Sequence, residues 1–254
     1  MIHLYLLDGV KMSTENNKPI SGKNEIYRRA GTKDVDEIYE IATKMQLVNK
    51  PDKMTSRGFL IDHYSSLPEI KDEFENNIFN SIFLVCETRK GIVGFLQGYD
   101  SEQWLQFRPN LSGPNGANID WFDEPLEKLG IKSIDSFNSF GVIDKICVDK
   151  TLGKKRVAYN LIKLFVKLLL EKERKYVMSE IVTRVFSDDK PLNIRNKASI
   201  KFHRKLGFQK VGSSEKYNYD SAFLKEKGYF QDDIYLASIN DLPYQYKRIF
   251  KAIK

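Results

Sequence analysis

The stretch NKASIKFHRKLGF, residues 196–208, places an amide, a hydroxyl and an imidazole at intervals of three and four: Asn196, Ser199 and His203. At helical spacing these three share one face, while Ala198, Phe202 and Leu206 line a second. A polar stripe of this kind can hydrogen-bond a ligand laid along it. The imidazole, with an ordinary pKa near ~6.5, can donate a proton in a pH-sensitive way. Gly207 reads as the C-terminal cap, because glycine accepts the left-handed conformation that ends a helix, and Phe208 then folds back onto the core.

A second group of residues lies upstream. GVIDKICV reads as a central strand and runs through DKTLGKKR into the helix VAYNLIKLFVKLLLEKERK. In a strand, basic loop and helix, the backbone N–H groups at the helix N-terminus present partial positive charge to a phosphate. Lys154, Lys155 and Arg156 add three cations at that mouth, just after Gly153, and Val157 and Ala158 open the helix. A small residue such as Ala158 lets the helix end approach a ligand closely. Arg156 is compatible with this only if its side chain points outward. Asp144 on the strand, and Glu180 on the next one, are candidate general bases. Cys147 as a nucleophile with His203 as its base is a competing reading, set against the inert cysteines common inside apolar strands. His3, His63 and His203 are too scattered for a metal site, so no metal is expected.

These residues need elements to position them. EIYRRA reads as a strand and TKDVDEIYEIATKM as a helix capped near Thr32, with Val35, Ile38, Ile41, Ala42 and Met45 on one face. Residues 50–80 read as less regular. SIFLVCETRKGIVGFLQGYD has the form of a hairpin turning at Arg89 to Gly91. Residues 100–137, rich in Gly, Pro and Asn around two tryptophans, read as an insertion that shapes a substrate site or only decorates the surface. The long helix turns Val157, Leu161, Phe165, Leu168 and Leu169 inward. VMSEIVTRVF, FQKVG and DDIYLASI supply further strands, and LPYQYKRIFKAIK closes the chain as a basic tail.

The 254 residues, 41% of them hydrophobic, suffice for one substantial core with tails. The expected organisation is a flexible lead-in over 1–24, a domain over 25–213, and C-terminal strands and tail over 214–254 completing that domain. Forty-one basic against 34 acidic residues give a net charge of +7 with both signs interspersed. This balance suits an anionic small molecule at least as well as nucleic acid. Two separated cysteines point to a reducing cytoplasm, and no apolar run approaches the ~20 residues of a membrane span.

Both groups of residues resemble signatures of the GNAT superfamily of acyl-CoA-dependent N-acyltransferases. Val148, GKKRVA and Leu161 fall in register with that family's pyrophosphate loop, although Gly153 stands where Gln or Arg is usual and Arg156 replaces the first glycine. NKASIKFHRKLGF satisfies the second signature, Asn-x-x-Ser-x-x-Phe-[Tyr/His]-x-x-x-Gly-Phe, at every position. The resemblance covers about 25 to 213. It implies an α/β (α+β) fold with a central, mostly antiparallel sheet splayed between its fourth and fifth strands and helices on both faces.

Functionally, it implies transfer of an acetyl group from acetyl-CoA to a primary amine, on a small molecule or a protein, by direct attack in a ternary complex. The backbone of Ile146 and Val148, around Cys147, would hold the pantetheine. Gly153, Lys154, Lys155, Arg156, Val157 and Ala158 would meet the pyrophosphate, and Asn196, Ser199 and His203 would face the pantetheine and thioester. His203, where the family often has tyrosine, would protonate the leaving thiolate, and Asp144 would be the base. Neither a membrane nor nucleic acid is expected as partner, and the aromatic segment 217–230 could support a homodimer. Two alternatives are a catalytically silent acyl-CoA sensor and a basic nucleic-acid-binding module using the tail.

Overall fold

Alternating apolar strands and amphipathic helices must pack as layers, and they do so here around one sheet. The structure, a computed structural model, describes residues 20–22, 25–44, 67–107, 119–132, 139–149, 155–187, 190–192, 196–221 and 226–242. In chain order these form β1 (Ile20–Gly22), β2 (Glu25–Arg29), α1 (Val35–Lys44), α2 (Leu67–Asn80), β3 (Ile82–Thr88), β4 (Gly91–Asp100), α3 (Ser101–Phe107), β5 (Ile119–Trp121), α4 (Asp123–Lys128), β6 (Phe140–Val148), α5 (Lys155–Glu171), β7 (Tyr176–Ser187), β8 (Lys190–Leu192), α6 (Lys197–Lys205), β9 (Gln209–Ser221) and β10 (Glu226–Ser238).

The strands make a 10-stranded sheet in the order β1-β2-β3-β4-β6-β7-β10-β9-β5, with β8 paired to β7. Among the described residues every pairing is antiparallel except β6 with β7. A parallel neighbour needs a crossover, and α5 is that crossover. It buries Val157, Leu161, Phe165 and Leu169 on one face of the sheet. The opposite face is covered by α1 and α2, whose Ile38, Ile41 and Phe74 pack on Phe83 and Phe95.

The crossover helix lies low because glycines leave room beneath it. A Cβ on Gly98 would stand 2.6 Å from the Phe165 ring, and one on Gly141 would stand 2.4 Å from Leu169 Cδ1. No relaxed side chain fits at such distances.

Four readings of the sequence are corrected. Residues 67–80, within the stretch read as irregular, form α2, which buries Phe74 and Ile78. The 100–137 segment is not simply a loop: α3, β5 and α4 lie in it, and Trp104, Ile119, Leu126 and Ile131 join Met178, Val211 and Ile234 in a third core cluster. The last two strands run longer than FQKVG and DDIYLASI, extending into the aromatic segment between them. The strand β1 begins within the segment expected as a lead-in and pairs with β2.

Candidate functional site

The sheet opens where the chemistry-bearing strand runs. β6 and β7 pair over four positions, from Phe140 with Tyr176 to Ile143 with Ser179. Beyond that, β6 continues beside β4 while β7 continues beside β10. At the same point β6 carries a bulge. Gln97 opposes Lys145 and Gly98 opposes Ile143, which makes Asp144 the extra residue. A bulge bends its strand and increases the local twist, which is a physical cause for the divergence.

The hydrogen-bond phase of β6 determines what faces this gap. The Asp149 N–H donates to the Val93 carbonyl at 2.9 Å. Antiparallel pairing alternates, so Cys147 and Lys145 also direct their backbone groups at β4, whereas Ile146 and Val148 direct theirs at the other edge. There β7 has already diverged. Among the described residues, the amides and carbonyls of Ile146 and Val148 therefore line the gap without a strand partner.

α5 begins beside the same strand end, with Val157 buried and Ala158 half-buried. Gly153 and Lys154 lie outside the described residues, and Lys155 is the first helical residue. Arg156 reaches across to β2, where its Nε and Nη2 donate to Glu25 Oε1 at 3.1 and 2.7 Å.

In α6 the polar residues are largely bonded to one another. The Asn196 side chain caps the helix by accepting from the Ser199 N–H at 3.0 Å. His203 Nδ1 lies 2.9 Å from the Ser199 carbonyl and 3.2 Å from Ser199 Oγ. A carbonyl only accepts, so the network assigns the hydrogen to Nδ1 and leaves Nε2 as the bare acceptor. That Nε2 is buried without a partner among the described residues. The ring stands edge-on to Phe202 and Phe208, with centroids 5.5 and 5.0 Å away. Burial pushes its pKa down to about 4, against a smaller upward pull from the Ser199 carbonyl.

The two-stripe reading of this helix is thus corrected. His203 belongs to the buried face with Ile200 and Leu206, whereas Ala198 is exposed. Neutral and with its N–H satisfied, the imidazole avoids the cost of a buried charge, although the bare Nε2 still forgoes a hydrogen bond. Gly207 does cap the helix, at φ 90°.

On the α1–α2 side of the sheet, Asp144 Oδ2 accepts from Lys145 Nζ at 2.8 Å and Gln97 Nε2 at 3.1 Å. Lys145 also meets Glu73 Oε1 at 3.3 Å, and Gln97 Nε2 donates to Tyr99 OH at 2.7 Å. Cys147 is 4% exposed and packs with α1, while Glu180 on β7 opposes Ile234. Sequence reasoning missed Gln97, Lys145 and Glu73. Gln97 did leave a signal, as a polar residue inside an otherwise apolar run.

Taken together, the splayed parallel pair, the helix rising beside it and the capped helix beyond define an acetyltransferase-type fold. A solved presumptive acetyltransferase superposes over 96% of this chain and 100% of its own, with a TM-score of 0.54 and 10% identity. An N-acetyltransferase from Staphylococcus aureus covers 85% of this chain and 99% of its own, with 17% identity and a TM-score of 0.46. Another presumptive acetyltransferase, from Salmonella typhimurium with its cofactor acetyl-CoA, gives 13% identity, 85% and 95% coverage and a TM-score of 0.46. No family model and no curated protein matches the chain. The likeness to the first of these structures shows the fold alone, a GNAT-like mixed α/β sheet with helices on both faces.

Proposed function

We propose that the protein transfers an acetyl group from acetyl-CoA to a primary amine. The observation that supports this best is the open backbone edge of Ile146 and Val148, exposed because β6 and β7 part after Ile143 and Ser179. The pantetheine amides would extend the sheet by bonding to this edge. The segment Gly153 to Ala158 would receive the pyrophosphate, and α6, ordered by Asn196, Ser199 and His203, would flank the thioester arm.

In the reaction the neutral amine attacks the thioester carbon, the C–S bond breaks and CoA leaves as the thiolate. One proton must pass from the amine nitrogen to solvent or to that thiolate. Asp144 is the proposed base. Its carboxylate already holds Lys145 and Gln97, so it would reach the amine through a water. His203 would not be the acid at neutral pH, because Nδ1–H is spent on Ser199 and Nε2 has no hydrogen to give. Its proposed part is to hold α6 in place, leaving solvent to protonate the thiolate. The same observation favours a second reading, an acyl-CoA-binding protein that does not turn over.

The test is thermal unfolding against rising acetyl-CoA, CoA and ATP, followed by CoA release with a panel of amines. At a hundredfold excess over the dissociation constant, stabilisation should approach ~2.7 kcal/mol, a shift of several degrees. A saturable shift with both CoA species but not ATP, together with CoA release dependent on an amine, supports the transferase. A shift without turnover leaves the sensor, and no shift removes both.

A further inference from the structure

We propose that Glu25 is a positioning residue that fixes the first turn of α5 for the pyrophosphate of acetyl-CoA. This rests on the acetyl-CoA reading above. Arg156 stands where the resemblance expects glycine, so an unrestrained guanidinium would crowd the turn that meets the ligand. Instead it is drawn sideways onto β2, with both Nε and Nη2 on Glu25 Oε1.

The other carboxylate oxygen, Oε2, accepts from Tyr27 OH at 2.7 Å. That phenol in turn accepts from Asn160 Nδ2 at 3.0 Å. Arg156 and Asn160 are four apart and so share one face of α5. The helix start is therefore held at two consecutive points by two alternate residues of one strand.

Burial makes the arrangement directional. The Glu25 side chain is 9% exposed and that of Arg156 is 49% exposed. A carboxylate so enclosed is stabilised by a paired cation, because burying a charge is costly. For the arginine to leave would forfeit two charge-assisted hydrogen bonds. The link thus keeps Arg156 off the phosphates and leaves the helix N–H groups to meet them. It spans 131 residues of sequence, which is why no local pattern announces it.

Calorimetric titration of the full chain with acetyl-CoA and with S-acetyl-pantetheine, which lacks the pyrophosphate, tests this. Glu25→Gln and Arg156→Gln should each weaken acetyl-CoA by about tenfold, the effect of losing roughly one hydrogen bond's net contribution. The double variant should be no worse than either single one, and acetyl-pantetheine should bind all forms alike. The exposed Arg156→Gln variant keeps the test usable if Glu25→Gln folds poorly. Equal losses for both ligands would overturn the proposal in favour of general damage. So would weaker binding in Arg156→Gln with unchanged or tighter binding in Glu25→Gln, since Arg156 would then be a direct phosphate ligand. Wild-type protein that binds neither ligand would overturn the acetyl-CoA reading itself, an outcome distinct from these.

Discussion

His203 ties the stability of the molecule to pH. Its folded pKa of about 4 lies below the ordinary value near 6.5, so between those values the unfolded chain binds a proton that the folded one refuses. The contribution is whole above pH 6.5, falls as pH falls, and is lost at about pH 4. A shift of this size corresponds to roughly 3 kcal/mol. Urea unfolding from pH 7 to pH 4 should show this slope in the wild type and lose it in His203→Gln, even though the variant is weaker at pH 7. Asp144 makes a different claim, on rate. Asp144→Asn should lower kcat at least tenfold with the KM for acetyl-CoA little changed, as befits a base lost from the acceptor side. Asn196→Ala removes the cap on Ser199 and should cost ~1 kcal/mol of stability by the same urea measurement.

At the scale of elements, the seating of α5 is the sensitive quantity. Gly141→Ala would press a methyl into Leu169 and should destabilise by about 1–3 kcal/mol, read as a fall in Tm of several degrees. The open edge of β6 gives a further expectation. Amide exchange at Ile146 and Val148 should be faster than at Cys147, and acetyl-CoA should slow these two selectively. Equal protection without ligand would contradict the phase assigned to this strand.

How much of these elements was legible depended on where their information lay. The β3–β4 hairpin, α5 and the cap at Gly207 are encoded by local period and turn chemistry, and all three form. α2 was obscured because charged residues and asparagines together dominate it, although Phe74 and Ile78 carry a helical spacing. The bulge at Asp144 depends on how β6 registers against β4, a relation between two distant segments that neither contains alone. His203 was misplaced for a similar reason: its spacing puts it with Ser199, but Phe208 and the sheet beneath decide that this face is inside.

For the whole molecule, the short contact between β6 and β7 works like the spine of a half-open book. One leaf holds β1, β2, β3, β4 and β6 under α5, and the other holds β7, β10, β9 and β5. The spine is four residue pairs wide, and the Tyr159 and Phe202 rings, 5.2 Å apart, link α5 to α6 near the opening. A ligand slipped between the leaves would act as a bookbinder's stitch on the open side, adding to the core clusters that already join them. Its signature would be mechanical: pulled apart from the two leaves, the loaded protein should yield at a higher force than the empty one.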